Sequence, residues 1–181
     1  MSRRELLADA AISVVAQGGL KRLTHRAVDA SAGVPTGTTS NYWNSRQALV
    51  DAMIARLEEL DFAVWRATVP PEDLDELLGG LANAIAMLAS EKPDLVRVRL
   101  ALFLDHGDRF ARAHGRVRGV LAGLLERHGV PDAATTAALI ADLCDGVLLH
   151  SVTVRSEPID VDGLARAFRA LVGASATRGG L

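Results

Sequence analysis

A run of small polar residues near the N-terminus carries groups that suit hydrogen bonding to nucleic-acid bases. The run consists of Thr36, Gly37, Thr38, Thr39, Ser40 and Asn41. Hydroxyl and carboxamide groups can reach base edges or phosphates, and an asparagine can pair bidentately with adenine. Tyr42 and Arg46 follow the run. A phenolic hydroxyl and a guanidinium there would hold the phosphate backbone and set the register on a duplex.

The flanking residues predict the two helices and the turn that would present this run. Thr24 is placed to cap a first short helix, with Leu23 and Val28 spaced as a hydrophobic staple around the cap. Gly33 supplies a turn residue that tolerates a positive φ, and Pro35 suits the first position of the second helix. Two short helices joined by such a turn form a helix-turn-helix, whose second helix enters the major groove of DNA.

Five short segments within the first 55 or so residues keep one order and spacing. They are Leu23-Thr24-His25-Arg26, Ala32-Gly33-Val34-Pro35, Gly37-Thr38-Thr39-Ser40, Tyr42-Trp43 and Ser45-Arg46-Gln47-Ala48-Leu49. In these segments the chain resembles the TetR family of transcriptional regulators, whose pattern reads Leu-Thr-x-Arg, Ala-Gly-Val-Ser, Gly-Thr-Leu-Tyr, Tyr-Phe and Ser-Lys-Glu-x-Leu. Thr39 and Ser40 depart from the family's Leu-Tyr, and Arg46 replaces its lysine. We expect DNA contacts from Thr24, Arg26, Tyr42, Arg46 and residues 36–41.

Charge is divided unevenly along the chain. Residues 1–47 hold six basic and three acidic residues, whereas the remainder holds 14 basic and 19 acidic ones, for a net charge of −2. A basic head on an acidic body is the distribution expected of a DNA-binding protein. The single cysteine, Cys144, excludes an internal disulfide and suits a reducing cytosol. We find no signal peptide and no apolar run that approaches the length of a bilayer span, so we expect a cytoplasmic protein without membrane contact.

Apolar residues recur at helical spacing along the chain and predict an all-α protein of about nine helices. The first three would form a helix-turn-helix head over residues 1–47, and the others an effector-binding and dimerisation bundle over residues 48–181. Val69-Pro70-Pro71 predicts a break after the fourth helix. Val96 to Leu100 also alternates as a strand would, but such a strand would have no partner. The tail from Ser175 is expected to fray.

The eighth helix, expected at about 132–155, is apolar on more than one face. It is either buried on all sides or paired with a copy of itself. The resemblance implies the second arrangement, in which the last two helices (about 132–155 and 160–174) of two chains form a four-helix bundle. Such a homodimer would place two heads about 34–36 Å apart on an inverted-repeat operator.

The resemblance also implies a pocket for an unidentified small-molecule effector, whose binding moves the fourth helix and spreads the heads. Polar residues in apolar helices are the candidates for its lining: Asn83, Arg99, Asp142, Asp145 and His150. For Asp142 and Asp145 the sequence favours neither alternative: each could line the pocket or lie in the dimer interface. His150 reads more readily as a core histidine, and Arg99 as a solvated charge.

Patterns typical of enzymes are missing from the sequence. The five histidines have no metal-type spacing, no phosphate-binding glycine loop follows a strand, and no nucleophile motif occurs. We therefore expect no catalysis, cofactor or metal. The main alternative is an all-helical protein-interaction module, and a helical hydrolase or carrier is a third. The basic head and its polar helix favour a ligand-responsive transcriptional regulator, with repression as the expected mode.

Overall fold

The computed structural model describes residues 1–68 and 73–178, except the side chains of residues 61, 64–68 and 176–178. Helices account for the regular structure in these ranges, and no strand occurs in them. The helices are α1 (Arg3–Gly18), α2 (His25–Ala32), α3 (Thr38–Tyr42), α4 (Arg46–Thr68), α5 (Leu74–Glu91), α6 (Pro93–Asp105), α7 (Gly107–Arg127), α8 (Ala133–Thr153) and α9 (Val161–Arg178). The predicted all-α class is confirmed, and the possible strand at Val96 to Leu100 lies within α6.

Helix starts follow the capping residues of the sequence. Side-chain oxygens of Ser2, Thr24, Ser45 and Asp73 each accept the backbone N–H of the residue three positions later. Each bond satisfies one of the N–H groups that the first turn of a helix leaves unpaired. The expected cap of α2 by Thr24 is therefore present.

The second helix of the helix-turn-helix begins later than predicted. Pro35 was expected to open it, but α3 begins at Thr38. Gly37 has a φ of +94°, which interrupts the helical backbone, and the Thr38 N–H donates to the Pro35 carbonyl at 3.1 Å. Pro35 therefore belongs to the turn, and α3 is only five residues long.

The end of the chain also differs from the prediction. Fraying was expected from Ser175, but α9 continues to Arg178. The Ser175 hydroxyl lies 2.5 Å from that of Thr136 on α8, which holds this turn to the neighbouring helix. The predicted break at 69–71 and the last three residues lie outside the described residues.

One compact unit comprises residues 1–60 and 94–113. Its core is formed by side chains that are at most 7% exposed, among them Leu7, Val28, Leu49, Met53 and Leu102. At its edge the Arg56 guanidinium on α4 donates to both carboxylate oxygens of Asp9 on α1, at 2.7 and 3.1 Å. This paired contact raises the pKa of Arg56 and fixes α1 against α4.

The second compact unit comprises residues 61–93 and 114–181. Its core joins α5, α7, α8 and α9 through Leu77, Leu125, Ile140 and Phe168, all of which are fully buried. The predicted boundary at residue 47 divides DNA binding from effector binding and dimerisation, and it does not coincide with the division into compact units. As a division of function it remains a prediction.

The eighth helix is more apolar than the sequence suggested. Among the described residues, Ala133–Thr153 is long and apolar enough to cross a bilayer by length and composition, contrary to our expectation of no such run. A core helix passes the same test, so this is weak evidence for a membrane. Only 28% of its most apolar window is buried within this chain, so the helix leaves apolar surface uncovered.

Candidate DNA-binding site

The helix-turn-helix is closed by two glycines with positive φ. Gly33 ends α2 with a φ of +65°, and Gly37 precedes α3 with a φ of +94°. The Gly33 and Val34 N–H groups donate to the carbonyl of Asp29, which completes the end of α2. Side chains other than glycine rarely adopt this backbone conformation, so both positions require glycine.

Two contacts from α2 hold the short helix α3 at its two ends. At the start, the Asp29 carboxylate accepts the N–H of Gly37 at 2.7 Å and the N–H of Thr39 at 2.8 Å. At the end, the ring Nε2 of His25 lies 2.6 Å from the carbonyl oxygen of Trp43, so this nitrogen carries the donating hydrogen. The turn alone therefore does not set the position of α3.

Asp29 is ionised at neutral pH although it is buried. Burial raises the pKa of this carboxyl, but hydrogen bonds from Thr39 and Gly37 and the nearby His25 lower it by more. The net pKa therefore lies below the ordinary value of 3.8. Sequence reasoning missed both Asp29 and His25. For Asp29 the sequence did offer a signal: it is an acidic residue in a basic segment, and it directly follows the apolar Val28.

The outward face of the turn and α3 is polar, as the sequence predicted. Thr36, Ser40 and Asn41 are exposed, and Thr38 is half-buried. The Thr38 hydroxyl donates to the Pro35 carbonyl at 2.6 Å, and the Ser40 hydroxyl donates to the Gly37 carbonyl at 2.8 Å. Within the described part of the chain the Asn41 carboxamide has no hydrogen-bond partner, so its donors and acceptor are all available to a base.

Thr39 is a correction to the predicted set of contacts. Its side chain is fully buried, and its hydroxyl donates to Asp29 at 2.5 Å. A side chain in this position cannot reach a base or a phosphate. Gly37 keeps an open approach, since nothing lies within 4 Å of where a Cβ would be.

An arginine packs against the aromatic ring at the end of α3. Tyr42 is 37% exposed, and the guanidinium carbon of Arg4 lies 5.7 Å from its ring centroid, within cation–π range. Thr24 and Arg26 are exposed at the start of α2. Arg4 was also missed, because 38 positions separate it from Tyr42 and no local pattern connects them.

The acidic residues of the head are all occupied by local contacts. Glu5 accepts the N–H of Ser2, Asp9 binds Arg56, and Asp29 binds the start of α3. The exposed basic side chains of the head include Arg3, Arg4, Lys21, Arg22 and Arg26. The exposed charged side chains of the head are therefore basic.

Arg46 makes contacts that differ from those expected. Its guanidinium donates to the carbonyl of Leu23 at 2.5 Å and to that of Leu20 at 2.7 Å. It thereby ties the start of α4 to the short 3-10 turn Leu20–Arg22 and the residue before the α2 cap. The predicted phosphate contact competes with these two bonds.

Comparisons with known proteins identify the family of this chain. A family model described as the C-terminal domain of tetracycline-repressor-like proteins matches residues 72–174, more than half of the chain. The chain belongs to the TetR family. No match was found among curated proteins. The TetR assignment rests on the body of the chain and is independent of the helix-turn-helix pattern in the head.

Solved structures of TetR-family regulators have the same fold. A transcriptional regulator from Rhodococcus sp. Rha1 is 21% identical with a TM-score of 0.79, and the match covers 97% of each chain. A TetR-family member from Streptomyces coelicolor A3 is 26% identical with a TM-score of 0.77, over 94% of this chain and 98% of the other. The multidrug binding protein EbrR, in complex with malachite green, is 25% identical with a TM-score of 0.76, over the same shares. The protein is thus a TetR-family transcriptional regulator, and its relatives are regulators rather than enzymes.

The five effector candidates are divided between the two compact units. Arg99 lies in the first compact unit, where its guanidinium carbon is 5.6 Å from the ring centroid of Phe110. Asn83, Asp142 and His150 are exposed in the second unit. Because His150 is exposed in the single chain, the reading of it as a core histidine is wrong.

Asp145 is the candidate with a half-buried polar neighbour. Its carboxylate lies 3.5 Å from Nε2 of His114 on α7, and the two side chains are 27% and 13% exposed. The adjacent Cys144 is buried, and its burial, with the Asp145 charge, raises the pKa of its thiol to about 12. Cys144 therefore stays protonated at neutral pH and is a poor nucleophile.

Proposed function

We propose that this protein is a cytoplasmic repressor that binds an inverted-repeat operator as a homodimer and is released by a small molecule. Residues 1–47 would bind DNA, and residues 48–181 would bind the effector and form the dimer. The observation that carries the proposal is the outward face of α3, where the exposed Asn41 carboxamide lies among polar side chains and Arg4 packs against the neighbouring Tyr42. A protein-binding helix would instead present apolar anchors, and Tyr42 is the only large apolar side chain exposed here among the described residues.

We assign base recognition to Asn41 above the other residues of α3. The Ser40 and Thr38 hydroxyls have already given their hydrogens to backbone carbonyls, so each offers mainly an acceptor. Thr36 is exposed in the turn beside them. Arg26 and the Arg4–Tyr42 pair lie at the rim and are assigned to phosphates, together with Thr24 at the start of α2.

Asn41→Ala and Arg26→Ala should separate these two roles. Asn41→Ala should relax base preference at one position of each half-site, at a cost of about 1–3 kcal/mol. Arg26→Ala should weaken binding to every sequence alike and lower the slope of log affinity against log salt by about one. Both effects are measured by fluorescence anisotropy on the operator and its single-base variants. Unchanged base preference in Asn41→Ala would move direct readout to another residue.

A stripe along α8 is proposed as the centre of the dimer. Thr135, Leu139, Asp142, Leu149 and Thr153 recur every three to seven residues on one exposed face, with Leu139 44% and Leu149 42% exposed. On α9 the exposed residues include Ala170, Gly173 and Ala174, which would allow close approach of another helix. Two such faces related by a twofold axis would bury the apolar surface that one chain leaves open.

The effector site is assigned to the second compact unit, around Asp145 and His114. EbrR has been solved with malachite green, proflavin and ethidium, and these dyes are aromatic cations. A half-buried carboxylate would attract such a cation more strongly than an exposed one, because nearby solvent is reduced. We therefore propose an aromatic or organic cation as the effector class.

Asp145→Asn tests this assignment because it removes the charge and keeps the size. We expect malachite green to bind the variant about tenfold more weakly, about 1.4 kcal/mol, as measured by dye fluorescence without DNA. The variant should also release its operator less readily when the dye is added. Comparing the variant and the unaltered chain at the same dye and DNA concentrations cancels any effect of the dye on the duplex itself. The control Asp162→Asn changes an exposed acid of the same unit. Equal loss in both variants would show that net charge, and not this site, attracts the dye.

The proposed function itself is tested by selecting operators. The purified full chain is offered random genomic fragments with excess nonspecific competitor, and bound fragments are sequenced. We expect an inverted repeat whose half-sites are about one helical turn apart. Fragments without a shared motif would refute specific DNA recognition and favour the protein-interaction alternative.

A further inference from the structure

Asp29 is a buried charge that the DNA-binding surface does not use. It is 2% exposed, and among the described residues no other charged residue is buried. A buried carboxylate is costly unless it is hydrogen-bonded. Its position is therefore expected to serve a specific arrangement of the backbone.

The hydrogen bonds of Asp29 join three consecutive parts of the motif. Its backbone carbonyl accepts the N–H of Val34 at 3.0 Å and so closes α2. One side-chain oxygen accepts the N–H of Gly37 at 2.7 Å, and the other accepts the N–H and the hydroxyl of Thr39 at 2.8 and 2.5 Å. One residue thus fixes the end of the first helix and the start of the second.

The helix that Asp29 holds could not hold itself. It has five residues, and its N-cap, Gly37, has no side chain to accept an N–H. Isolated helices shorter than about 12–15 residues are marginal in water. The Asp29 carboxylate supplies the missing cap from the preceding helix, and its negative charge is favourable at a helix N-terminus.

This contact also determines how α3 can meet DNA. The N–H groups of Gly37 and Thr39 are occupied by the Asp29 carboxylate, and that of Thr38 by the Pro35 carbonyl, so these three groups are not available to a phosphate. Recognition must come from the side chains on the outward face. The direction of that face depends on the angle at which α3 leaves the turn, and Asp29 fixes this angle.

We propose that Asp29 is a positioning residue for base recognition, which holds α3 in the orientation that places Asn41 and its neighbours against base edges. Thr39 acts together with Asp29, because the N–H and the hydroxyl of Thr39 both donate to the same carboxylate oxygen of Asp29. This inference rests on the proposed function of α3 as the recognition helix. The phosphate contact assigned to Arg26 does not depend on the carboxylate, because Arg26 lies on α2.

Asp29→Asn tests the proposal in the full chain. The amide keeps the size of the carboxylate but turns an NH2 group towards one of the N–H donors, so at least one bond is lost. We expect operator affinity to fall by about 10- to 100-fold while affinity for a random duplex stays within about twofold, because the basic surface is intact. Both affinities are measured by anisotropy at the same salt, with the melting temperature and the dimer state recorded beside them.

Thr39→Val and Thr39→Ser form a second, milder pair. Valine keeps the shape and removes the hydroxyl bond, whereas serine keeps the hydroxyl. We expect valine to lower the ratio of operator to random affinity by about three- to tenfold, and serine to restore it to within about twofold. This pair keeps the proposal testable if Asp29→Asn does not fold.

The outcomes separate this proposal from the function on which it rests. Specific binding by the unaltered chain, with an unchanged affinity ratio in Asp29→Asn and Thr39→Val, would overturn the positioning role even if both variants melt at lower temperature. An equal fall in operator and random affinity would also overturn it, because that pattern indicates general loss of the head. Absence of any specific binding by the unaltered chain would instead refute the proposed function, and this proposal with it.

Discussion

A chain carrying Leu139→Glu and Leu149→Glu should sediment as a monomer and bind its operator at least about 100-fold more weakly than the unaltered chain. Both leucines are more than 40% exposed on α8 in the single chain, so glutamate there should cost the fold of one chain little. Opposite a second copy, the same changes remove two apolar contacts. They also add carboxylates to a stripe that already holds Asp142.

The size of the effect follows from how a dimer binds an inverted repeat. When two heads are joined, the second binds at an effective concentration set by the first, which raises affinity by about 10²–10⁴ without a new contact. A monomer loses this gain and keeps the affinity of one head. Affinity for a random duplex under low salt should change much less, since it depends on the basic surface of each head.

The matched control is Leu104→Glu, which makes the same exchange at a leucine on α6 that is 87% exposed and outside the proposed interface. It should remain a dimer with unchanged operator affinity. Sedimentation velocity and anisotropy on the same samples decide the result. A double variant that stays dimeric would place the interface away from this stripe.

The sequence predicted those features whose causes are local. The cap Thr24 and the turn glycine Gly33 act within a few residues, and their structural positions agree with the prediction. Helical periodicity located the helices to within a few residues because each buries one apolar face. The same logic gave the all-α class without any knowledge of tertiary contacts.

Within the DNA-binding segment, sequence reasoning failed where a side chain's direction depends on a distant partner. Residues 38–41 are all polar, so no periodic pattern shows that Thr39 alone turns inward. Its partner Asp29 lies ten positions away, and a carboxylate in a basic head resembles an ordinary surface charge. A guanidinium such as that of Arg46 fits a phosphate or a pair of carbonyls equally well, and only the fold determines which one it meets.

The apolar faces of α8 show a different limit of sequence reasoning. Periodicity reports that Leu139 and Ile140 are both apolar, but not that Ile140 is fully buried within one chain while Leu139 is 44% exposed. Either arrangement satisfies the pattern. Which of these apolar residues one chain covers became clear only from the packing of α5, α7 and α9 with α8.

Arg46→Ala is expected to destabilise the head instead of changing its phosphate contacts. The substitution removes two hydrogen bonds from a charged donor to the carbonyls of Leu20 and Leu23. Allowing for the partial exposure of the side chain, we expect a loss of about 1–3 kcal/mol in the free energy of unfolding. Each kcal/mol corresponds to about 2–4 °C in melting temperature for a chain of this size.

The salt dependence of operator binding decides between this role and the phosphate contact predicted from the sequence. If Arg46 serves the fold, Arg46→Ala should keep the salt slope of the unaltered chain when both are measured well below the melting range. Arg46→Lys should then lie between the two in melting temperature, because an ammonium cannot reach both carbonyls in the fixed geometry of a guanidinium. A slope lowered by about one in Arg46→Ala, with an unchanged melting temperature and full function in Arg46→Lys, would instead establish the phosphate contact. That result would mean that the guanidinium leaves the two carbonyls when the head meets DNA.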